Sequence, residues 1–159
     1  MRSTFLKLTS AMTLGAILLV SGGKINATPL SVSGTICTNF NAGQAQDIDY
    51  FTSGVRTINA NPVSVVCALP RQPVPSGFNS LSFTFSGSNA TGSSTSGTLN
   101  SFNQSGGFLG SASFSSGAAS YLITVTLPIA QLPTLGFTSV LVSLPGNAGG
   151  VYRGTTINM

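Results

Sequence analysis

The chain has 159 residues, only 5% of them charged, and contains neither histidine nor tryptophan. With no histidine, no glutamate and two aspartates, it cannot build a Ser-His-Asp triad, a Cys-His pair or a zinc site of the common type. The formal charge of +4 is concentrated at the N-terminus: beyond residue 27, Arg56, Arg71 and Arg153 face Asp47 and Asp49, a net +1. That balance leaves no basic surface for nucleic acid.

Residues 1–27 read as a secretory signal peptide. Arg2 and Lys7 precede the ten-residue apolar run Ala11–Val20, which is too short to cross a bilayer and suits an export signal. Small residues then offer cleavage after Gly22 or Ala27. The 132 residues that follow correspond to a single domain. No second apolar run is long enough for a membrane helix, so the mature chain is not expected to span a membrane by helices. The expected location is secreted, periplasmic or on the cell surface.

The mature chain opens with an extended segment, Pro29–Cys37, in which Leu30, Val32 and Ile36 share one parity. Cys37 lies on the opposite parity, so a strand end or bulge is expected there. Asn39–Gln46 is rich in turn residues, and Ile48–Thr52 and Gly54–Ile58 are short strand candidates. Asn61–Arg71 (NPVSVVCALPR) is the strongest strand of the N-terminal half. Its Val63, Val65, Cys67 and Leu69 alternate with Ser64, Val66 and Ala68 between two prolines. Two cysteines in an exported chain predict one disulfide, Cys37–Cys67. In the chain-entropy treatment, closing a loop of that length stabilises by about 3.7 kcal/mol.

After the proline-punctuated QPVPSG segment, Leu81, Phe83 and Phe85 alternate with hydroxyl residues as in a half-buried strand. Ser86–Ala118 contains 18 serines and glycines in 33 residues. Such composition is linker-like, so a flexible connection is expected around 86–106. Phe108, Gly110, Ala112 and Phe114 nevertheless keep a period of two. Tyr121, Ile123, Val125 and Leu127 form another inward row, followed by Val140, Val142 and Leu144, a turn at Pro145–Gly150, and a last strand over Val151–Ile157. Without Glu or mature Lys, and with β-branched residues dominating the runs, no segment favours a helix. The predicted fold is all-β, an antiparallel sandwich or jelly roll of seven to nine short strands with one disulfide. A membrane β-barrel is the competing architecture, disfavoured by thin aromatic girdles.

The segments Gly34-Thr35-Ile36-Cys37, Val65–Arg71, Leu144-Pro145 and Tyr152-Arg153-Gly154 resemble a loose group of uncharacterised exported bacterial proteins. That group shows a G-x-x-C segment, a cysteine strand ending in P-R, and a C-terminal L-P turn and Y-R strand. Ala68 stands where the group usually has proline, and the second cysteine pair often found there is missing. The resemblance implies a disulfide-bearing β-sandwich and carries no functional residues.

Chemistry is scarce. Asp47 and Asp49, at i and i+2, read as a solvated acidic face or as structural ion-pair partners of Arg71 and Arg153. No cofactor or metal is expected and no enzyme activity. Tyr50, Phe51 and Tyr152 are the candidate ligand-stacking aromatics; Tyr121 shares parity with core residues. The primary expectation is a non-catalytic structural or surface-interaction protein with a protein or glycan partner, self-associating through strand edges poorly protected by charge around residues 107–116. The alternative is a carbohydrate- or small-ligand-binding module.

Overall fold

The alternating runs fold into strands that the computed structural model describes over residues 29–70, 78–132 and 134–158. The expected signal peptide and Arg71 lie outside the described residues. The strands are β1 (Leu30–Ser33), β2 (Thr38–Asn39), β3 (Ile48–Phe51), β4 (Gly54–Thr57), β5 (Val63–Leu69), β6 (Ser80–Asn89), β7 (Thr95–Asn103), β8 (Phe108–Ser116), β9 (Ser120–Pro128), β10 (Gly136–Leu144) and β11 (Gly150–Asn158). Eleven strands among the described residues thus replace the seven to nine expected; β2, two residues long, and β7, inside the Ser/Gly-rich stretch, are the ones that periodicity did not reveal. Three single turns or short runs of 3-10 helix, Gly34–Ile36, Ala42–Asp47 and Ile129–Gln131, join them.

All the pairings are antiparallel, and they form two sheets. One runs β3-β4-β11-β6-β9, with β1 also on β11; the other runs β2-β5-β10-β7-β8. The two sheets face each other as a sandwich with open edges, not as a closed barrel. Among the described residues, no helix is long and apolar enough to cross a membrane.

The core fills the space between the sheets. Val63, Val65, Cys67 and Leu69 of β5, Leu99 of β7 and Val140, Val142 and Leu144 of β10 come from one side. Leu81, Phe83 and Phe85 of β6, Leu127 of β9 and Tyr152 and Ile157 of β11 come from the other. Phe85 and Phe114 meet across the sandwich as stacked rings, centroids 4.3 Å apart. Ile36 departs from its expected inward position and is 46% exposed, because Gly34–Ile36 coils into a 3-10 turn before the strand parity can carry on.

The Ser/Gly-rich segment is not a flexible connection. β6 continues to Asn89, β7 begins at Thr95, and only a short turn separates them. The strands are held by the backbone ladder, which serine and glycine join as well as any residue. Hydroxyl pairs such as Thr98–Ser113, 3.2 Å apart, bridge neighbouring strands on the outer face. Asn89 ties the hairpin ends together: its amide nitrogen donates to the carbonyls of Ser116 and Ala118, and its oxygen accepts from Thr95 Oγ1 at 2.7 Å.

Candidate functional site: an aromatic ridge on the outer face of the five-stranded sheet

The disulfide forms as expected: Cys37 and Cys67 are bonded with Cα atoms 4.0 Å apart, and both are buried. Cys37 sits at a strand end, between the 3-10 turn and β2, which answers its off-parity position.

The acidic residues go elsewhere than expected. Asp49 pairs with Arg56, its cross-strand neighbour in the β3–β4 hairpin, at 2.8 Å. Arg56 Nε also donates to the same carboxylate, and the guanidinium lies over the Phe51 ring, 5.2 Å from its centroid. Asp47 ends the 3-10 segment instead of sharing a strand with Asp49, and its carboxylate accepts from the Asn59 amide. Arg153 is exposed at the register shift between Tyr152 and Gly154. Asp49 is therefore partnered by Arg56, and Arg71 lies outside the described residues. Cross-strand register brings Arg56 opposite Asp49, a fact that sequence spacing does not encode. Among the described residues, no group of three or more His, Cys, Asp or Glu side chains could hold a metal ion.

The expected stacking aromatics divide three ways. Tyr152 is 1% exposed, its hydroxyl bonded to Thr155 Oγ1, so it belongs to the core and cannot meet a ligand. Burial drives its ionisation well above the ordinary tyrosine range, the Thr155 bond opposing. Phe51 is partly covered by Arg56. Tyr50 remains accessible at the β3 edge. Partial burial raises its pKa, with the Asn39 backbone bond working the other way.

Three aromatics that the sequence reading did not select stand together instead. On the five-stranded sheet, Phe137 of β10 is in register with Phe102 of β7, and Phe102 with Phe108 of β8. The Phe102 and Phe137 rings stack with centroids 5.1 Å apart, and Phe108 meets Phe102 edge-on at 6.0 Å. Phe108 is 61% and Phe137 48% exposed. The three rings make a ridge across the strands on the solvent side, with Phe102 wedged between two accessible neighbours. Phe108 was expected to share the inward parity of Phe114. A register shift between Ser101 and Phe102 inserts one extra residue in β8 and turns Phe108 outward. The other two were legible: Phe137 has opposite parity to Val140 and Val142, and Phe102 to Leu99.

Beside the ridge the outer face is polar. The next row in register is Ser139 of β10, Asn100 of β7 and Ser111 of β8. The following row contains Leu141 and the Thr98–Ser113 hydroxyl pair. An apolar wall with hydroxyl and amide groups at its foot can take a ligand that has both apolar faces and hydroxyl rims.

No family model and no curated protein matches the sequence. Solved structures do resemble the chain. The C-terminal CBM6 of LamC, a marine laminarinase from Zobellia galactanivorans, has a TM-score of 0.52 at 15% identity, covering 83% of this chain and 100% of that one. A family 35 carbohydrate binding module from Clostridium thermocellum has a TM-score of 0.51 at 14% identity, covering 82% and 98%. The CBM36-1 domain of a multidomain xylanase from the hindgut metagenome of Trinervitermes trinervoides has a TM-score of 0.50 at 16% identity, covering 83% and 98%. What these share with the chain is the fold. At such identities that likeness extends to the β-sandwich and to no ligand or residue.

Proposed function

We propose that this chain is an exported, non-catalytic carbohydrate-binding module, its ligand held on the outer face of the five-stranded sheet. The observation that carries the reading is the ridge of Phe137, Phe102 and Phe108, exposed beside a row of hydroxyl and amide groups. Aromatic rings pack against the C–H faces of sugars while neighbouring polar side chains bond the hydroxyl rims. The fold shared with carbohydrate-binding modules supports it. So does the disulfide, which accords with an oxidising extracellular or surface location. The two carboxylates support no hydrolytic pair, since Asp49 is spoken for by Arg56 and Asp47 by Asn59.

The test is affinity electrophoresis of the mature protein in a panel of soluble polysaccharides, with titration calorimetry on any that retards it. At least one glycan should bind, and both Phe137→Ala and Phe108→Ala should weaken it tenfold or more, about 1.4 kcal/mol. Binding by both variants at wild-type strength would refute the site, and retardation by no polysaccharide would refute the function.

A specific observation also favours a surface-interaction role through strand edges. β8 and β9 are the last strands of their respective sheets, and each runs nine uncharged residues. Lysine, the usual guard of such edges, is absent. The β3 edge, by contrast, is four residues long and carries the Asp49–Arg56 pair. Weak self-association by strand addition to β8 is the expected consequence. It should be seen as a concentration-dependent sedimentation coefficient that Ser115→Lys, an outward-facing edge substitution, abolishes; equal association in the variant would remove this edge from consideration.

A further inference from the structure

Resting on the carbohydrate reading, we infer that the ligand is an uncharged glycan chain that lies across β10, β7 and β8, along the foot of the ridge. Its hydroxyls would bond to Ser139, Asn100 and Ser111.

The direction follows from register. Phe137, Phe102 and Phe108 are cross-strand partners, so their apolar wall runs perpendicular to the strands. Two residues further along β10 and β7, and three along β8 because of its bulge, the same face presents Ser139, Asn100 and Ser111, again in register. Two residues of antiparallel strand advance about 7 Å, which sets the width of the shelf between wall and next row. A chain running along a strand would leave the wall after one contact. Only a chain running across the strands keeps apolar contact on one flank and polar contact beneath it at every step.

The charge class follows from where the ionic groups lie. Of the four charged residues described, Asp49 and Arg56 pair within the β3–β4 hairpin, Asp47 ends the 3-10 segment bonded to Asn59, and Arg153 is on β11. All of them belong to the six-stranded sheet or the connection leading into it; none stands on the outer face of the five-stranded one. A uronate or sulfate set on the shelf would lose water against apolar rings with no guanidinium among the described residues to meet it, and recognition of such groups relies on charge-assisted bonds. A neutral sugar hydroxyl needs only partners that both donate and accept. Asn100 supplies them at the centre of the row: its amide nitrogen makes one long bond, 3.4 Å, to the Thr98 carbonyl, and its other hydrogen and its oxygen stay available. Asn100 is the residue that orients the ligand, and the rings supply the contact area.

The experiment compares neutral polysaccharides (mixed-linkage β-glucan and arabinoxylan) with anionic ones (alginate and polygalacturonate), at 50 and 500 mM NaCl, for wild type, Asn100→Ala, Ser96→Ala and Arg71→Ala. The expected result is binding to a neutral glycan whose affinity changes less than twofold with salt, weakens at least fivefold in Asn100→Ala, and is unchanged in Ser96→Ala and Arg71→Ala. Affinity should also rise with oligosaccharide length over the first few sugars, as a chain spanning three strands requires. Preference for an anionic glycan, with salt-sensitive binding lost in Arg71→Ala, would overturn the inference and leave the carbohydrate reading standing. Wild-type affinity in Asn100→Ala would remove the shelf while leaving the ridge. Absence of binding to all four polysaccharides would sink both.

Discussion

Burial acts on the hydroxyls of Tyr121 and Tyr152 more than on any other ionisable group described in this chain. Tyr121 faces inward from β9 and donates to the Val151 carbonyl at 3.2 Å. Removal from water pushes its ionisation up to about 12, with the Thr95 hydroxyl and the Arg153 charge opposing. A raised acid pKa means that the folded state holds a proton that the unfolded state releases earlier. The stabilisation is complete below the ordinary value near 10 and is lost as pH climbs through the folded value. Between pH 10 and 12 the protein should lose roughly 2 kcal/mol through this group alone. Urea midpoints measured over pH 8 to 12 should fall across that window and fall less in Tyr121→Phe; an identical alkaline slope in the variant would clear Tyr121 of the effect. At this scale sequence parity performed well. It placed Tyr121, Val140 and Cys67 inward, and it held the information that Phe137 and Phe102 point the other way. Tyr152 shows its limit, since an aromatic in a turn-rich C-terminal run carries no mark that separates a core ring from a ligand ring.

The strands themselves were legible wherever one face was apolar and the other hydroxylic, as in β5, β6, β9 and β10. They were least legible where side chains shrank. The β7 inward row is Thr95, Gly97, Leu99 and Ser101, which reads as linker yet is buried throughout. Gly97 is small because Phe114 lies against it. A Cβ added there would stand 2.5 Å from Phe114 Cε1 and 2.9 Å from the Leu141 carbonyl. The ring has no room to retreat, since its other face stacks on Phe85. Gly97→Ala should therefore cost about 1–3 kcal/mol by overpacking, while Ser96→Ala, one residue away on the outer face, should stay within about 0.5 kcal/mol of wild type. Equal denaturation midpoints for the two variants would mean that the hairpin is not packed as described. The same overlooked strand carries Phe102 and Asn100, the centres of the apolar and polar rows. The candidate site thus escaped the sequence reading for two physical reasons: small residues hid its central strand, β7, and the bulge in β8 turned Phe108 outward.

On the scale of the whole molecule, what the sequence could not reveal is which strand lies beside which. Most strands offer similar uncharged Ser, Thr, Val and Leu rows, so alternation assigns faces but not partners, and the order β3-β4-β11-β6-β9 pairs Arg56 with Val151 across 95 residues. The disulfide matters most at this level. β1 pairs with β11 in one sheet and β2 with β5 in the other, so the chain crosses the sandwich within Gly34–Cys37. Gly34 makes that crossing against the Tyr152 carbonyl, where a Cβ would approach to 2.5 Å. Cys37 then bonds to Cys67 in the middle of β5, opposite Val140 of β10. The bridge fastens the chain at its crossover, next to β2, to the central ladder, and β2 itself pairs with β5 at only two positions. Replacing both cysteines by serine should cost about 2–5 kcal/mol. The loss should also be uneven. Amides of β1 and β2 should exchange with solvent far faster in the double variant, through local opening, while those of β6, β7 and β10 should weaken only by the global change. Hydrogen exchange resolved by mass spectrometry would distinguish the two patterns. Uniform acceleration across all strands would assign the bridge a purely global role, and unchanged exchange in β1 and β2 would show that the crossover holds without it. Because Phe102, Phe108 and Phe137 stand on β7, β8 and β10, away from the opened strands, the same variant should keep its glycan affinity wherever the remaining sheet stays folded.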